Sequence, residues 1–212
     1  MPAWWCGEGC KLSEFERWEA RFSGPEYLFG TEPNEFLRAN AHLLPAGGQA
    51  LAVADGEGRN GVWLAEQGLD VLSVDFSPKA QAKAQALAKS RGVALRTERV
   101  DLITWSWPTA AFDVVAAIFI QFVAPDERKP IFAGIRQALK PGGLLLMQGY
   151  RPEQLAYKTG GPSQIENLYT RAMLNEAFAD FADLEISEHD SMTREGAGHS
   201  GMAALIDLVG RK

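Results

Sequence analysis

The chain has 212 residues, 46% of them hydrophobic, with a formal net charge of −6 and a pI of about 5.2. That is enough apolar material for one domain-sized core, and the dispersed positive charge excludes the basic footprint that nucleic acid or an anionic membrane requires. The longest apolar run, Val114 to Ile120, is too short to cross a bilayer.

The first residues, Met1 to Cys6, have neither a basic start nor a sustained apolar stretch, so no signal peptide is expected. Residues 1–10 read as a flexible tail. Its two cysteines, Cys6 and Cys10, give no disulfide framework and, with three scattered histidines, no metal site, so a cytoplasmic setting is expected. Lys11 to Phe22 has helical spacing, with Phe15, Trp18 and Phe22 on one face. A loop with Gly24-Pro25, Tyr27, Phe29 and Gly30 follows. Pro33 then opens a helix over Asn34 to Leu44 from its first turn, and Pro45-Ala46-Gly47-Gly48 stops it. Residues 11–48 therefore read as a helical segment that either packs on a sheet edge or forms a lid.

From Gln49 onward strands and helices alternate. Strands are expected at Ala50–Ala54, Asp70–Val74, Ala94–Glu98, Phe112–Phe119 and Leu144–Gln148. The fourth is nearly all apolar, as for a parallel strand buried on both faces. Helices are expected after Gly61, from a Ser77 cap with Pro78 at its first position to Gly92, and over Asp126–Leu139. A further helix covers Tyr169–Phe181. The end breaks the alternation: Leu184–Met192 and Gly201–Val209 read as an antiparallel hairpin joined by residues 193–200. Nothing marks a domain boundary within 11–212. The fold class is α/β, a doubly wound, mostly parallel sheet with a C-terminal antiparallel hairpin.

The unit Leu51 to Gly61 is a strand, glycine loop and helix start. Gly56 and Gly58 permit close backbone approach, and the free N–H groups of the helix favour an anion. Asp75, at the end of the second strand, suits a ribose diol. Two cofactors fit: a nicotinamide dinucleotide, since Gly56, Gly58 and Gly61 satisfy G-x-G-x-x-G, and S-adenosylmethionine, whose ammonium Asp55 would suit. A dinucleotide fold would continue with a second βαβαβ half. The terminal hairpin leaves no room for one and favours S-adenosylmethionine.

In order, Trp18-Glu19-Ala20-Arg21-Phe22, Phe29-Gly30-x-x-Pro33-Asn34, Gly56-Glu57-Gly58-Arg59-Asn60, Asp75-Phe76-Ser77, Asp101-Leu102, Phe112-Asp113-Val114-Val115 and Leu139-Lys140-Pro141-Gly142-Gly143 resemble class I S-adenosylmethionine-dependent methyltransferases. The similarity is strongest to the thiopurine and tellurite-resistance group and covers about residues 14–212. It implies a seven-stranded Rossmann-like sheet and S-adenosylmethionine as cofactor. It further implies that Asp55, Gly56 and Gly58 cradle the methionine end. Asp75 would hold the ribose, Phe76 would pack on adenine, and Asp101 with the Leu102 N–H would read the adenine edge. Ile118 and Phe119 would line the sulfonium, and Trp18, Phe22 and Phe29 would form the lid. Ala52 and Ala54 stand where the family commonly has an acid and a glycine. The extra methyl of Ala54 is cheap provided its φ is negative.

Methyl transfer from a sulfonium is an in-line displacement, so alignment and water exclusion are the protein's main tasks. A small acceptor that attacks through a soft S, Se or Te atom already bearing its lone pair, such as a thiolate, a thiopurine sulfur or a reduced metalloid, needs no protein base, whereas oxygen or nitrogen often does. Gln121, Tyr150, Tyr157, Glu195 and His199 lie where they could face the cleft. His199 is read as a loop hydrogen-bonder ahead of a base, and His42 and His189 as structural. A nicotinamide-dependent oxidoreductase and a non-catalytic S-adenosylmethionine-binding protein are the competing readings.

Overall fold

A computed structural model of the chain describes residues 13–196 and 198–212. The expectations for residues 1–10, Cys6 and Cys10 included, lie outside them. Seven strands form a single sheet: β1 (Gln49–Val53), β2 (Asp70–Asp75), β3 (Arg96–Arg99), β4 (Phe112–Ile118), β5 (Leu139–Tyr150), β6 (Ala182–Glu195) and β7 (His199–Arg211). Their order is β3-β2-β1-β4-β5-β7-β6. The first five are parallel, and β7 runs antiparallel to both β5 and β6.

Period-two alternation sends neighbouring residues to opposite faces. Leu51, Val53, Val115, Ala117, Leu145 and Met147 join the core under α5 (Pro125–Ala138) and α7 (Arg171–Ala177). Ala50, Ala52, Val114, Ala116, Leu144 and Leu146 join the core under α3 (Arg59–Glu66) and α4 (Pro78–Arg91). The apolar run of the fourth strand thus records burial on both faces. Each fully buried Leu contributes about 1.5–3 kcal/mol.

The cap expected at Ser77 is present, its hydroxyl accepting from Ala80 N at 3.1 Å, with Pro78 at the first position. Two expectations are corrected. Pro33 is outside its helix: Asn34 caps α2 (Glu35–Ala39), accepting from Leu37 N at 3.0 Å, and a separate 3-10 turn covers Ala41–Leu43. The hairpin connection is also shorter than residues 193–200. Strands β6 and β7 continue until Glu195 pairs with His199, which takes both residues out of a loop and sets them side by side. Gly196, at φ +64, makes this close turn possible; a Cβ there would stand 2.5 Å from Gly30 N. A short α1 (Glu14–Arg21) precedes all this and has no buried residue. The four-residue α6 (Gln154–Tyr157) follows β5.

Candidate active site

The carboxyl ends of β1, β2 and β4 form the floor. Asp75 organises it: its Oδ2 accepts from Gly56 N and its Oδ1 from Ser77 N, both at 2.9 Å. One carboxylate therefore ties the glycine loop to the cap of α4. Burial pushes its pKa up to about 6 against these hydrogen bonds. Asp55 is engaged in the same way. Its Oδ2 accepts from the Ser73 hydroxyl at 2.7 Å and from Gly61 N at 3.1 Å, with Oδ1 3.2 Å from the same N–H. Burial raises its pKa to about 7, with the neighbouring charge of Asp75 acting in the same direction.

The condition under which the extra methyl of Ala54 would be cheap, a negative φ, is not met. Its φ is +47, left-handed backbone that disfavours a Cβ. Phe119 is similar at +56. Both strained residues stand on the cavity wall, where such outliers concentrate. Gly58, at φ +88, serves packing, because a Cβ would meet that of Ala84 on α4 at 2.5 Å.

Above the floor is a cavity of about 410 Å³. Apart from the loop glycines, its lining includes every cofactor candidate of the sequence: Ala54, Asp55, Asp75, Phe76, Asp101, Leu102, Ile118, Phe119, Trp18, Phe22 and Phe29. Gly56 and Gly58, expected in the cradle, shape the loop without lining this cavity. Phe76 meets Phe15 of α1 edge-on at 5.7 Å, and both rings line the cavity with Leu102.

A second cavity of about 480 Å³ adjoins the first and shares Trp18, Phe29, Phe119 and His199 with it. Gln121 and Tyr150 line only this one of the two. Gln121 is occupied structurally: Nε2 donates to Tyr150 O at 2.8 Å, and Oε1 accepts from Tyr150 N at 2.5 Å. Burial pushes the Tyr150 phenol well above its usual range. Tyr157 donates to Asp190 at 2.8 Å and lines neither cavity. His42 and His189 bond elsewhere, His189 Nε2 to Asp207 at 2.9 Å and His42 Nδ1 to Ala39 O at 3.2 Å.

Sequence reasoning missed a buried polar seam. Arg59 Nη2 pairs with Glu195 Oε2 at 2.7 Å, both side chains 8% exposed. Asn34 Nδ2 donates to Glu195 Oε1 at 2.9 Å and to Gln148 Oε1 at 2.7 Å. Gln148 Nε2 continues to Asp207 at 2.7 Å. Burial works against the Glu195 charge, yet the His199 ring beside it and the Arg59 guanidinium hold its pKa at about 2. Arg59 lines the first cavity, and its Nη1 is buried without a partner. The signal was the adjacency of Arg59 and Asn60 to the glycine loop; no local pattern indicated that a residue 136 positions later would answer them.

The family described as "Methyltransferase domain" matches residues 50–143. A glycine/sarcosine N-methyltransferase of Halorhodospira halochloris is 33% identical over 104 residues, 46% of this chain and 38% of that protein. The chain thus spans about two fifths of the length of this curated relative. A structure from work on the conversion of a disulfide bond into a thioacetal group during echinomycin biosynthesis superposes with a TM-score of 0.70, at 20% identity, over 92% of this chain and 86% of that one. The phosphoethanolamine N-methyltransferase 2 of Haemonchus contortus, with S-adenosylhomocysteine bound, gives 0.68 at 18% identity over 92% and 57%. The seven-stranded sheet with its reversed β7 is the Rossmann-like fold of these superposed structures, residues 50–143 match the methyltransferase-domain family, and S-adenosylmethionine is the cofactor that this match implies.

Proposed function

We propose that the protein transfers a methyl group from S-adenosylmethionine to a small acceptor, a soft nucleophile seated in the second cavity. The observation that carries this reading is the meeting of two cavities at Phe119 and His199. Asp75 would hold the ribose hydroxyls with its remaining lone pairs, and Phe76, Asp101 and Leu102 would enclose the adenine. Arg59 Nη1 fits the amino-acid carboxylate, which would give this buried donor the partner it lacks. Asp55, with its oxygens committed to Gly61 and Ser73, would shape the loop and set the local charge more than grip the ammonium.

When bound, the cofactor supplies an activated methyl carbon. The protein's contribution is to align the acceptor and exclude water. Aromatic walls from Trp18, Phe29, Phe119 and Tyr150 favour a polarisable sulfur over a hydrated ion. Against the nicotinamide reading, among the described residues only β4 and β5 continue the parallel sheet past β1 before the antiparallel β7. Thermal melting tests the proposal. S-adenosylhomocysteine at a hundred times its Kd should stabilise the protein by about 2.7 kcal/mol, and NAD(H) should not. Stabilisation by NAD(H) alone would overturn it. Cofactor binding with no methylation of any thiol, selenite, tellurite or amine would instead indicate a non-catalytic binder.

A further inference from the structure

We infer that His199 is the general base of this reaction, held in place by Glu195, and that the acceptor it serves is a thiol. The inference rests on the methyltransferase reading above. His199 borders both cavities, where donor and acceptor must meet. Its ring is caged by Phe29 and Phe119, each with a centroid distance of 4.5 Å, and by Tyr150 at 5.7 Å. Nδ1 is buried 3.5 Å from Glu195 Oε2, near enough to tighten into a hydrogen bond but without a partner as it stands. Nε2 has no partner among the described residues. The adjoining Cδ2 points towards Gly160, a lining residue of the second cavity; a Cβ added to that glycine would lie 3.8 Å away.

Glu195 is a built-in orienter. Arg59 and Asn34 hold its two oxygens, so it stays charged and fixed when the ring beside it changes protonation. An Nδ1–H directed at Glu195 leaves Nε2 as the free base. Burial lowers the His199 pKa against the pull of Glu195, which favours the neutral ring. The charged or titratable groups around it are Glu195 on β6, Arg59 on α3, Arg21 on α1 and Tyr150 on β5.

A base matters only for an acceptor that arrives carrying a proton. An oxyanion acceptor needs none. An ammonium acceptor would seek a free carboxylate, and Glu195 is already shared between Arg59 and Asn34. A thiol is soft, suits aromatic walls and has an ordinary pKa of about 8.5, so it is mostly protonated at neutral pH. In the step, His199 Nε2 takes the S–H proton as the sulfur lone pair forms the new S–C bond. The bond from the methyl carbon to the donor sulfonium breaks, and its electron pair neutralises that sulfur. The imidazolium then returns the proton to water.

The test uses the full chain, S-adenosylmethionine, and two probes: an alkyl thiol and an aromatic thiol already largely ionised at neutral pH. His199→Gln should lose about 10²–10⁴-fold in kcat/KM with the alkyl thiol and less than tenfold with the aromatic one. Raising the pH should rescue the alkyl reaction. Equal losses with both thiols, or no loss, would overturn the inference. Should the variant not fold, the wild-type pH profile decides. A general base gives a kcat/KM plateau well below the alkyl thiol's own pKa, whereas a tenfold rise per pH unit up to that pKa overturns the proposal. Nitrogen-15 NMR of the imidazole, with S-adenosylhomocysteine bound, provides a readout independent of turnover. The expected tautomer has Nδ1 protonated and Nε2 bare, and the reverse overturns it. Failure to methylate either thiol while S-adenosylhomocysteine binds would overturn the thiol acceptor alone. Failure to bind it would overturn the broader reading.

Discussion

Two sides of the first cavity are built on opposite plans. The floor and the hairpin seam are hydrogen-bonded networks in which buried charges are held by two or more partners: Asp75 by Gly56 and Ser77, Glu195 by Arg59 and Asn34. The roof, α1, buries none of its residues. It rests on the floor through Phe15 against Phe76 and through Glu19, which accepts from the Ser77 hydroxyl. Buried networks resist opening because each broken bond leaves an unsatisfied group, whereas an exposed helix loses little. The contrast assigns precision to one side and access to the other.

The largest effect is expected where the seam is broken. Arg59→Ala leaves the Glu195 carboxylate buried without its cation, a change that costs about 3–5 kcal/mol. Urea melts should show this as a lower midpoint at unchanged slope. Replacing Arg59 with Met and Glu195 with Leu together should recover most of the loss, since the penalty comes from the orphaned charge. If the single change is silent, the seam is no stronger than the roof and the comparison fails.

Asp75→Ala comes next. It leaves the Gly56 and Ser77 N–H groups without acceptors, at about 1–3 kcal/mol each, partly offset above pH 6 by removal of a costly buried charge. Calorimetry should also show at least a tenfold loss of S-adenosylhomocysteine affinity. Loss of stability at full affinity would move the ribose site elsewhere.

The two sides also predict a pH dependence of the apo protein. Asp55 and Asp75 have folded pKa values of about 7 and 6 against an ordinary 3.8. Their folded forms hold protons longer, so stability declines as pH rises from about 4 towards 7, with a slope of up to about 1.4 kcal/mol per pH unit for each titrating group. Glu195 acts oppositely: its contribution is present above its ordinary 4.5 and is lost as pH falls towards 2. The apo melting temperature should therefore peak near pH 4 and fall towards pH 7. Asp55→Asn should flatten the alkaline limb while still accepting from Ser73 and Gly61. An unchanged limb would show that burial does not govern this carboxylate.

These effects separate what a linear reading can reach from what it cannot. The alternating core, the Ser77 cap and the acid ending β2 were legible because each depends on neighbours within a few residues. The left-handed backbone at Ala54 was not legible, because nothing nearby in the sequence reports φ. The pairing of Glu195 with His199 was hidden because Thr193, Arg194 and the glycines around it look like a loop. Their extension as strand depends on the tip packing against Leu28 to Gly30, where Gly198 N donates to Leu28 O at 2.9 Å. The Arg59–Glu195 pair spans 136 positions, beyond any local periodicity.

The smallest effect on stability, and the sharpest test of the contrast, concerns residues 13–34. Composition marked the whole segment as a lid, but the structure divides it at Ser23. Beyond that point the backbone is fastened: Leu28 N donates to Glu57 at 2.7 Å, Glu57 pairs with Lys83 at 2.6 Å, and Asn34 N donates to Asn60 at 2.9 Å. Before it, α1 has a Ser13–Glu16 capping box and a stack of Trp18 on Phe22 at 5.4 Å, and Phe22 is buried. Eight residues are too few for a helix to hold itself in water, so α1 persists only while its aromatic face finds contact. Its amides should exchange rapidly in the apo protein and slow markedly with S-adenosylhomocysteine bound, while those of Leu28 and Asn34 stay protected in both states. Trp18→Ala should leave the melting temperature almost unchanged, because that side chain is only partly buried, yet should speed release of S-adenosylhomocysteine. If α1 proves as protected as β4 without ligand, it is a fixed wall, and Trp18 belongs with the packing residues and not with a gate.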